Sequence, residues 1–449
     1  MTSAAEQLAA NFNFGVFKKA EELKKRLLFT LGALIVYRIG TYIPLPGVNP
    51  SALADIFKQA QAGILGFFNM FSGGAVSRLA IFALNVMPYI SASIIIQLLT
   101  SALPSFETLK KEGEQGRLIL NQYTRYLTVF LALIQAYGIS VGLESSSAIV
   151  LQPGWGFRIT SVITLTGGAI FLMWLGEQIT SRGIGNGPSL LIFTGIVAEL
   201  PASIAGTLEL GRQGALSTLI IALVIFMSVA VIAFIVFMER AQRRLVINYP
   251  MRQAGSKLYE GRSSFLPLKL NTAGVIPPIF ASSLLLLPIT IVNFSYGGPD
   301  STHSGIMSAL STYFAHGQPV YMIAYVALIV FFAFFYTAIV FNPQETADQL
   351  RKQGGFIPGI RPGERTVSYI DTILTRITFI GALYIALICL LPELLISALS
   401  LPFYFGGTSL LIVVTVTMDI MAQIQGYLLS HQYEGLLKKS NRMKRKKLK

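Results

Sequence analysis

Few residues of this chain could do covalent or redox chemistry. The three histidines, His303, His316 and His431, stand outside apolar segments or at their ends, and the single cysteine, Cys389, sits inside one. No disulfide framework is possible. No group of side chains has metal-ligand spacing, and HExxH, GxSxG and the Walker glycine-lysine loop are all missing. The reading is therefore a non-enzyme with no cofactor and no metal, so any energy source must come from a partner. The ionisable residues within apolar segments, Arg38, Glu177 and Asp419, all fall near segment ends. A charge at mid-bilayer costs about 2.5–3.5 kcal/mol on insertion scales, a cost this chain avoids, and no proton relay is visible.

What remains is non-covalent chemistry carried by mixed helical faces. The stretch 85–99 is apolar, yet it holds Asn85, Pro88, Ser91, Ser93 and Gln97. At helical spacing Val86, Ile90, Ser93 and Gln97 share one face. A helix bathed only in lipid has no use for such a face, so it looks toward protein or water. Three other segments repeat the pattern: Ser189, Ile192 and Ile196; Thr272, Ile276, Ile279 and Ser283, with Pro277-Pro278 expected to kink the helix; and Thr408, Ile412, Thr415 and Asp419. Turned to one axis, these β-branched side chains would form a narrow apolar constriction that gates by excluding water. Ordinary helix packing, in which Ser and Thr let backbones approach, explains any one of them equally well.

The elements that must position these faces are membrane spans. The 449-residue chain is 53% hydrophobic and 12% charged, with a mean hydropathy of +0.62. A soluble protein would carry about twice that charged share. Ten segments reach the roughly 20 apolar residues of a crossing: 27–46, 79–101, 123–143, 159–179, 187–207, 215–238, 272–294, 319–341, 373–396 and 403–428. The net charge is +14. With both termini cytoplasmic, every Lys and Arg falls on that side except Lys58, Arg78, Arg158 and Arg212 outside and Arg38 in the first span, as the positive-inside rule demands. No cleavable signal or transit segment is evident at the start, and residues 5–28 read as a basic amphipathic helix on the inner surface. The apolar piece 62–75 covers only about 20 Å as a helix, too little to span. It lies on the outer surface or dips back into a protein-lined cavity, and the bare residues favour the surface. Residues 239–271 and 342–372 are arginine-bearing loops with dense turns around Arg361, which suit docking to protein or to RNA phosphate. The tail 438–449 is basic and suits anionic lipid or RNA, or a disordered end. The exterior loop 295–318 offers nothing beyond its lack of Lys and Arg.

Several motifs, running in order from about residue 17 to 440, carry a resemblance. Phe68-Asn69-Met70-Phe71-Ser72-Gly73-Gly74 and Met87-Pro88-Tyr89-Ile90-Ser91-Ala92-Ser93-Ile94-Ile95-Ile96-Gln97 are followed by Gly183-Ile184-Gly185-Asn186-Gly187 and Gly274-Val275-Ile276-Pro277. Gly359-Ile360-Arg361-Pro362-Gly363 and the run from Phe403 to Leu411 complete the set. Together they closely resemble SecY, the pore-forming family of the Sec protein translocase. One departure is Asn85, where many relatives have glycine; it sits beside the proposed constriction.

The resemblance implies an all-α polytopic membrane protein with ten transmembrane helices in two inverted pseudo-symmetric five-helix halves around an hourglass pore. After the amphipathic segment 1–26, the halves would be 27–207 and 215–428, with a basic cytoplasmic tail 429–449. It turns 62–75 into a plug (Phe67, Phe68, Asn69, Met70, Phe71, Ser72, Gly73 and Gly74), reversing the preference for the surface. It implies a pore ring of Val86, Ile90, Ile192, Ile196, Ile276, Ile279 and Ile412, with the register in spans 5 and 7 open by one turn. A lateral gate would involve Ser91, Ser93, Gln97, Thr272, Ser282 and Ser283. The polar stripe of Ser93, Gln97 and Ser283 is expected to be satisfied across the closed gate. Arg243, Arg244, Arg252, Lys257 and Arg361 would dock a translating ribosome, through its rRNA, or the SecA motor. SecE and SecG would be membrane partners, and signal-bearing polypeptides would pass through or leave sideways into the lipid bilayer. A bacterial plasma membrane and a thylakoid-type membrane both fit. The competing classes are a secondary transporter with an inverted repeat, which needs a compact polar substrate site, and a scaffold or insertase without a sealed pore.

Overall fold

The computed structural model describes residues 21–49, 69–144, 149–214, 217–249, 252–254, 257–259, 263–295, 318–399 and 407–447. The first part of the amphipathic segment, Phe67 and Phe68 of the plug, and nearly all of the exterior loop 295–318 lie outside the described residues.

Helix α1 (Glu21–Gly40) runs from the basic segment straight into the first apolar stretch, with no break at residue 26. After it come α2 (Met87–Ala102), α3 (Pro104–Lys111), α4 (Glu114–Glu144), α5 (Trp155–Arg182), α6 (Gly187–Arg212) and α7 (Thr218–Arg240). Four strands follow, β1 (Gln242–Asn248), β2 (Arg252–Ala254), β3 (Lys257–Tyr259) and β4 (Ser263–Lys269). The chain then builds α8 (Ile276–Ser295), α9 (Pro319–Val340), α10 (Pro343–Lys352), α11 (Glu364–Leu399) and α12 (Gly407–Lys447). Each of the ten apolar segments contains a helix. Among the described residues seven helices are long and apolar enough to cross a membrane, or eight if the pair α2 and α3, bent by 98°, counts as one. The helical tail through Lys447 corrects the alternative of a disordered end.

Two helices begin later than expected, and proline is the cause. Residues 72–86 form a chain of turns, and α2 starts only at Met87 with Pro88 in its first turn. Likewise α8 starts at Ile276, so Pro277 and Pro278 sit in its first turn rather than kinking its middle. First-turn N–H groups have no helical acceptor, so a residue without one costs nothing there. Thr272 consequently lies before α8, where its hydroxyl donates to the Lys269 carbonyl (3.3 Å).

The all-α expectation holds for the apolar segments but not for the loop 239–271. There β1 pairs antiparallel with β4, Leu245 opposite Leu266, and β2 pairs with β3. Alternation along β1 buries Leu245 and Ile247 and turns Arg244 and Val246 to the other face, and Arg243, near the start of the strand, is exposed as well. Asn248 and Phe356 exchange both backbone hydrogen bonds (2.9 and 3.0 Å), tying this ribbon to the second loop. Leu245, Ile247, Leu268, Leu350, Ile357, Ile370, Leu374 and Ile377 form one apolar core beneath them. The two loops are thus one folded unit built on the first turns of α11.

The helices pack in two sets, α1–α6 and α7–α12. They meet where α8 lies against α2 and α4, and again where α6 lies against α7 and α12. The α5–α6 turn is also held from both sides: Thr30 of α1 accepts from Ile184 N (3.0 Å), and Gln423 of α12 accepts from Gly185 N (2.8 Å).

Candidate functional site

The predicted constriction residues converge. Val86, Ile90, Ile192, Ile196, Ile279 and Ile412 belong to one buried apolar cluster, and Ile276 packs against it partly buried. Val86 and Ile90 open α2, Ile192 and Ile196 come from α6, Ile276 and Ile279 open α8, and Ile412 lies in α12. The late start of α2 and α8 places their contributions in the first turn. Thr408 and Thr415 are buried on α12. The predicted ring residues have dispersion and apolar surface to offer but no hydrogen bonds, so water gains nothing by lying against them.

Against the ring lies the segment 69–77. Met70 and Phe71 are part of the same cluster. Residues 69–71 make a single helical turn, after which the chain turns through Gly73 (φ 64°) and Gly74 (φ 81°). Its shape is fixed internally: the Asn69 carboxamide oxygen accepts from Ser77 N (2.8 Å), and the Ser72 hydroxyl accepts from Val76 N (3.2 Å). Ser409 of α12 points its hydroxyl at the Met70 sulfur (3.5 Å). Three successive carbonyls receive side-chain donors: Phe71 from Asn85 Nδ2 (2.6 Å), Ser72 from Tyr37 Oη (3.3 Å) and Gly73 from Arg38 Nη1 (2.7 Å). Sequence reasoning missed Tyr37 and the use of Arg38. The available signal was a positive charge just inside the first span, with Tyr42 one turn on, which takes a hydrogen bond from Arg38 Nη2 (3.0 Å). Asn85 has φ 50°, a left-handed backbone that glycine adopts freely and that asparagine tolerates better than most residues.

The proposed gate residues are close together, but their hydrogen bonds are not those expected. Ser91, Ser282 and Ser283 are buried. Ser283 Oγ donates to the Ile279 carbonyl one turn back (2.8 Å), and toward α2 it reaches the Met87 sulfur (3.8 Å). Ser282 Oγ also donates to Ile279 O (2.9 Å). Gln97 Nε2 reaches Ser93 of its own helix (3.4 Å), and its Oε1 is buried without a partner among the described residues. The hydrogen bonds the stripe makes are therefore within each helix, not across the gate, and Gln97 Oε1 is left without one. A hydroxyl four residues after a carbonyl finds it without any partner helix. A polar link on this side of the two sets is instead Lys110 Nζ of α3, which donates to the Ile339 carbonyl at the end of α9 (3.3 Å).

Of the docking candidates, Arg243 and Arg244 are exposed on β1, and Arg361 is exposed between Gly359 (φ 81°) and Gly363 (φ 121°). Arg252 lies on β2 opposite Tyr259 and Lys257 on β3 opposite Ala254, both at backbone level. Glu177 is explained by a two-point ion pair with Arg125 of α4 (2.8 and 2.9 Å).

Apolar helices long enough to span, with side chains from four of them and the segment around Met70 and Phe71 in one buried apolar cluster, define a multi-pass helical membrane protein. Residues 80–421 match the family model SecY. The chain belongs to the SecY family. It is 56% identical over 423 residues to the protein translocase subunit SecY of Escherichia coli K12, covering 94% of this chain and 95% of that one. In fold it is similar to a SecY protein whose plug domain stabilises the closed state of the translocation channel and maintains a membrane seal (TM-score 0.61, 19% identity, 91% and 92% covered). It is also similar to Sec61 of the canine ribosome-channel complex from the endoplasmic reticulum (TM-score 0.61, 17% identity, 91% and 93% covered).

Proposed function

We infer that this chain is the protein-conducting channel of a membrane translocase, passing unfolded polypeptides across the bilayer and releasing apolar segments sideways into lipid. One observation carries the reading: four helices from both sets bring β-branched side chains to a single apolar cluster, with Met70 and Phe71 of the following seal packed in it. A soft ring of this kind closes around a chain of any sequence and binds none of them tightly, because its only contacts are dispersion. A transporter would need a compact polar site instead, and the centre of this bundle is apolar.

The finer assignments follow from the same reading. The ten helix-bearing segments are ten spans in two halves, 27–207 and 215–428, with both termini in the cytoplasm. Residues 62–75 are the plug, and the seven ring residues are the seal beneath it. The line where α8 meets α2 and α4 is the lateral gate. The cored unit of ribbon and α10, with Arg243, Arg244, Arg252, Lys257 and Arg361, receives a ribosome or a SecA-type motor, and SecE- and SecG-type subunits complete the membrane complex. The likeness to a ribosome-bound channel supports the first of these partners.

Single-channel recording in planar bilayers tests the pore, using the purified membrane complex with and without residues 62–75. A quiet parent and a leaky deletion are expected. If both stay quiet, the four faces are packing surfaces and the chain holds no plugged pore.

A further inference from the structure

A segment that leaves and re-enters a throat cannot rest on apolar contact alone, because its turns expose backbone carbonyls that no helix satisfies. Phe71, Ser72 and Gly73 present three such carbonyls in a row, and each accepts from a side chain. The donors come from two places. Tyr37 and Arg38 are neighbours on α1, whereas Asn85 stands immediately before Val86, the first residue of the ring. Asn85 is 3% exposed, its left-handed backbone turns the amide toward Phe71, and its Oδ1 has no partner among the described residues.

We propose that Asn85, Tyr37 and Arg38 form a carbonyl latch that holds the segment 71–73 in the closed throat, and that Asn85 couples the latch to the ring. The proposal rests on the plugged-channel reading. In a dry throat the latch is strong, because the Asn85 and Tyr37 bonds are buried and withdrawing either would leave its donor without water to replace the carbonyl. Widening the ring at Val86 moves the adjoining Asn85, withdraws Nδ2 from the Phe71 carbonyl and admits water. Water then supplies both partners, and the segment is free to leave. The same physics makes closing cooperative, since the hydrogen bonds regain their strength only as the throat dries. The Tyr37 and Arg38 contacts lie on α1, away from the ring, so they resist departure without sensing dilation. Asn85 alone reports the state of the ring. All three are positioning residues: they fix the seal and do not line the constriction.

The test is basal ion leak of the membrane complex in planar bilayers, for the parent, Asn85→Gly, Tyr37→Phe, the double variant, the deletion of 62–75, and Asn85→Gly within that deletion. Asn85→Gly keeps the left-handed backbone available. Tyr37→Phe keeps the ring that stacks on Phe82 and loses only the hydroxyl. Losing one buried hydrogen bond shifts the closed-to-open ratio on the order of tenfold, so each single variant should leak visibly more than the parent and the double variant more again. The deletion sets the ceiling, and Asn85→Gly should add nothing within it. If the deletion leaks while the single and double variants stay as quiet as the parent, the latch is wrong and the plug stands. If Asn85→Gly raises the leak of the deletion as well, Asn85 acts on the ring itself and the latch is overturned. A deletion as quiet as the parent removes the plugged-channel reading, and the latch with it.

Discussion

At the scale of single residues, the throat is set by side chains that are small where backbones meet. Gly195 sits on α6 between the ring residues Ile192 and Ile196. A Cβ there would stand 2.5 Å from the Phe71 carbonyl oxygen and 3.1 Å from Gly73 N. Both obstacles are backbone, so neither can swing aside, and the seal must shift. Gly195→Ala is therefore expected to raise ion leak toward that of the plug deletion while leaving the helix itself slightly better formed, alanine being the stronger helix former. Flux from vesicles loaded with a small ion reads this directly, and an alanine variant as tight as the parent would mean the segment does not rest on α6. The identity of residue 85 is explained at the same scale. Its departure from glycine was legible in the sequence, but the reason lay in a φ of 50° and a bond to Phe71 that no local pattern announces. That Val86, Ile90, Ile192, Ile196, Ile279 and Ile412 would share one buried apolar cluster could be read because β-branched side chains repeat at helical spacing on four segments. Tyr37 could not, because a tyrosine on an apolar helix has no sequence sign that its hydroxyl meets a carbonyl 35 positions away.

At the scale of elements, composition located the helices and proline placed their starts. Pro277 and Pro278 read as a kink when their segment is taken as a whole span, and, like Pro88 of α2, as first-turn residues once the preceding turns are seen. The same residues therefore fix where the ring faces the axis. The ribbon was hidden for a different reason. Residues 239–271 draw attention by charge, and the period-2 burial of Leu245 and Ile247 is only a few residues long. Its stability is not local either, because its core is completed by Leu350 and Ile357 from a loop a hundred positions on. Ile247 is 3% exposed, and truncating a buried isoleucine to alanine costs about 2–5 kcal/mol. Ile247→Ala should loosen both loops together: limited proteolysis would cut within 239–271 and within 342–363 at similarly raised rates, with the spans intact. Cleavage confined to the first loop would show that the two do not share a core.

For the whole molecule, function depends on two helix sets that touch along unequal seams. On one side α6 packs against α7 and α12, and the α5–α6 turn is clasped by Thr30 and Gln423. On the other, α8 meets α2 and α4, with a hydroxyl-to-sulfur contact from Ser283 to Met87 and one exposed bond from Lys110 to Ile339. The second seam lacks the polar clasp of the first, since Ser282 and Ser283 donate within their own helix and Gln97 Nε2 within its own. A seam held mainly by apolar contact costs little to open toward lipid, where the parted surfaces stay in an apolar medium. The molecule should therefore hinge at α6 and part at α8, and pinning that seam should stop lateral release. In a Cys389→Ser background, Met87→Cys combined with Ser283→Cys offers two thiols across it. Treatment with a short bifunctional thiol reagent is expected to join them and to block insertion of an apolar segment into lipid, while each single variant treated alike stays active. If the joined protein still inserts membrane segments at the parent rate, they leave by another route and the α2–α8 line is not the gate.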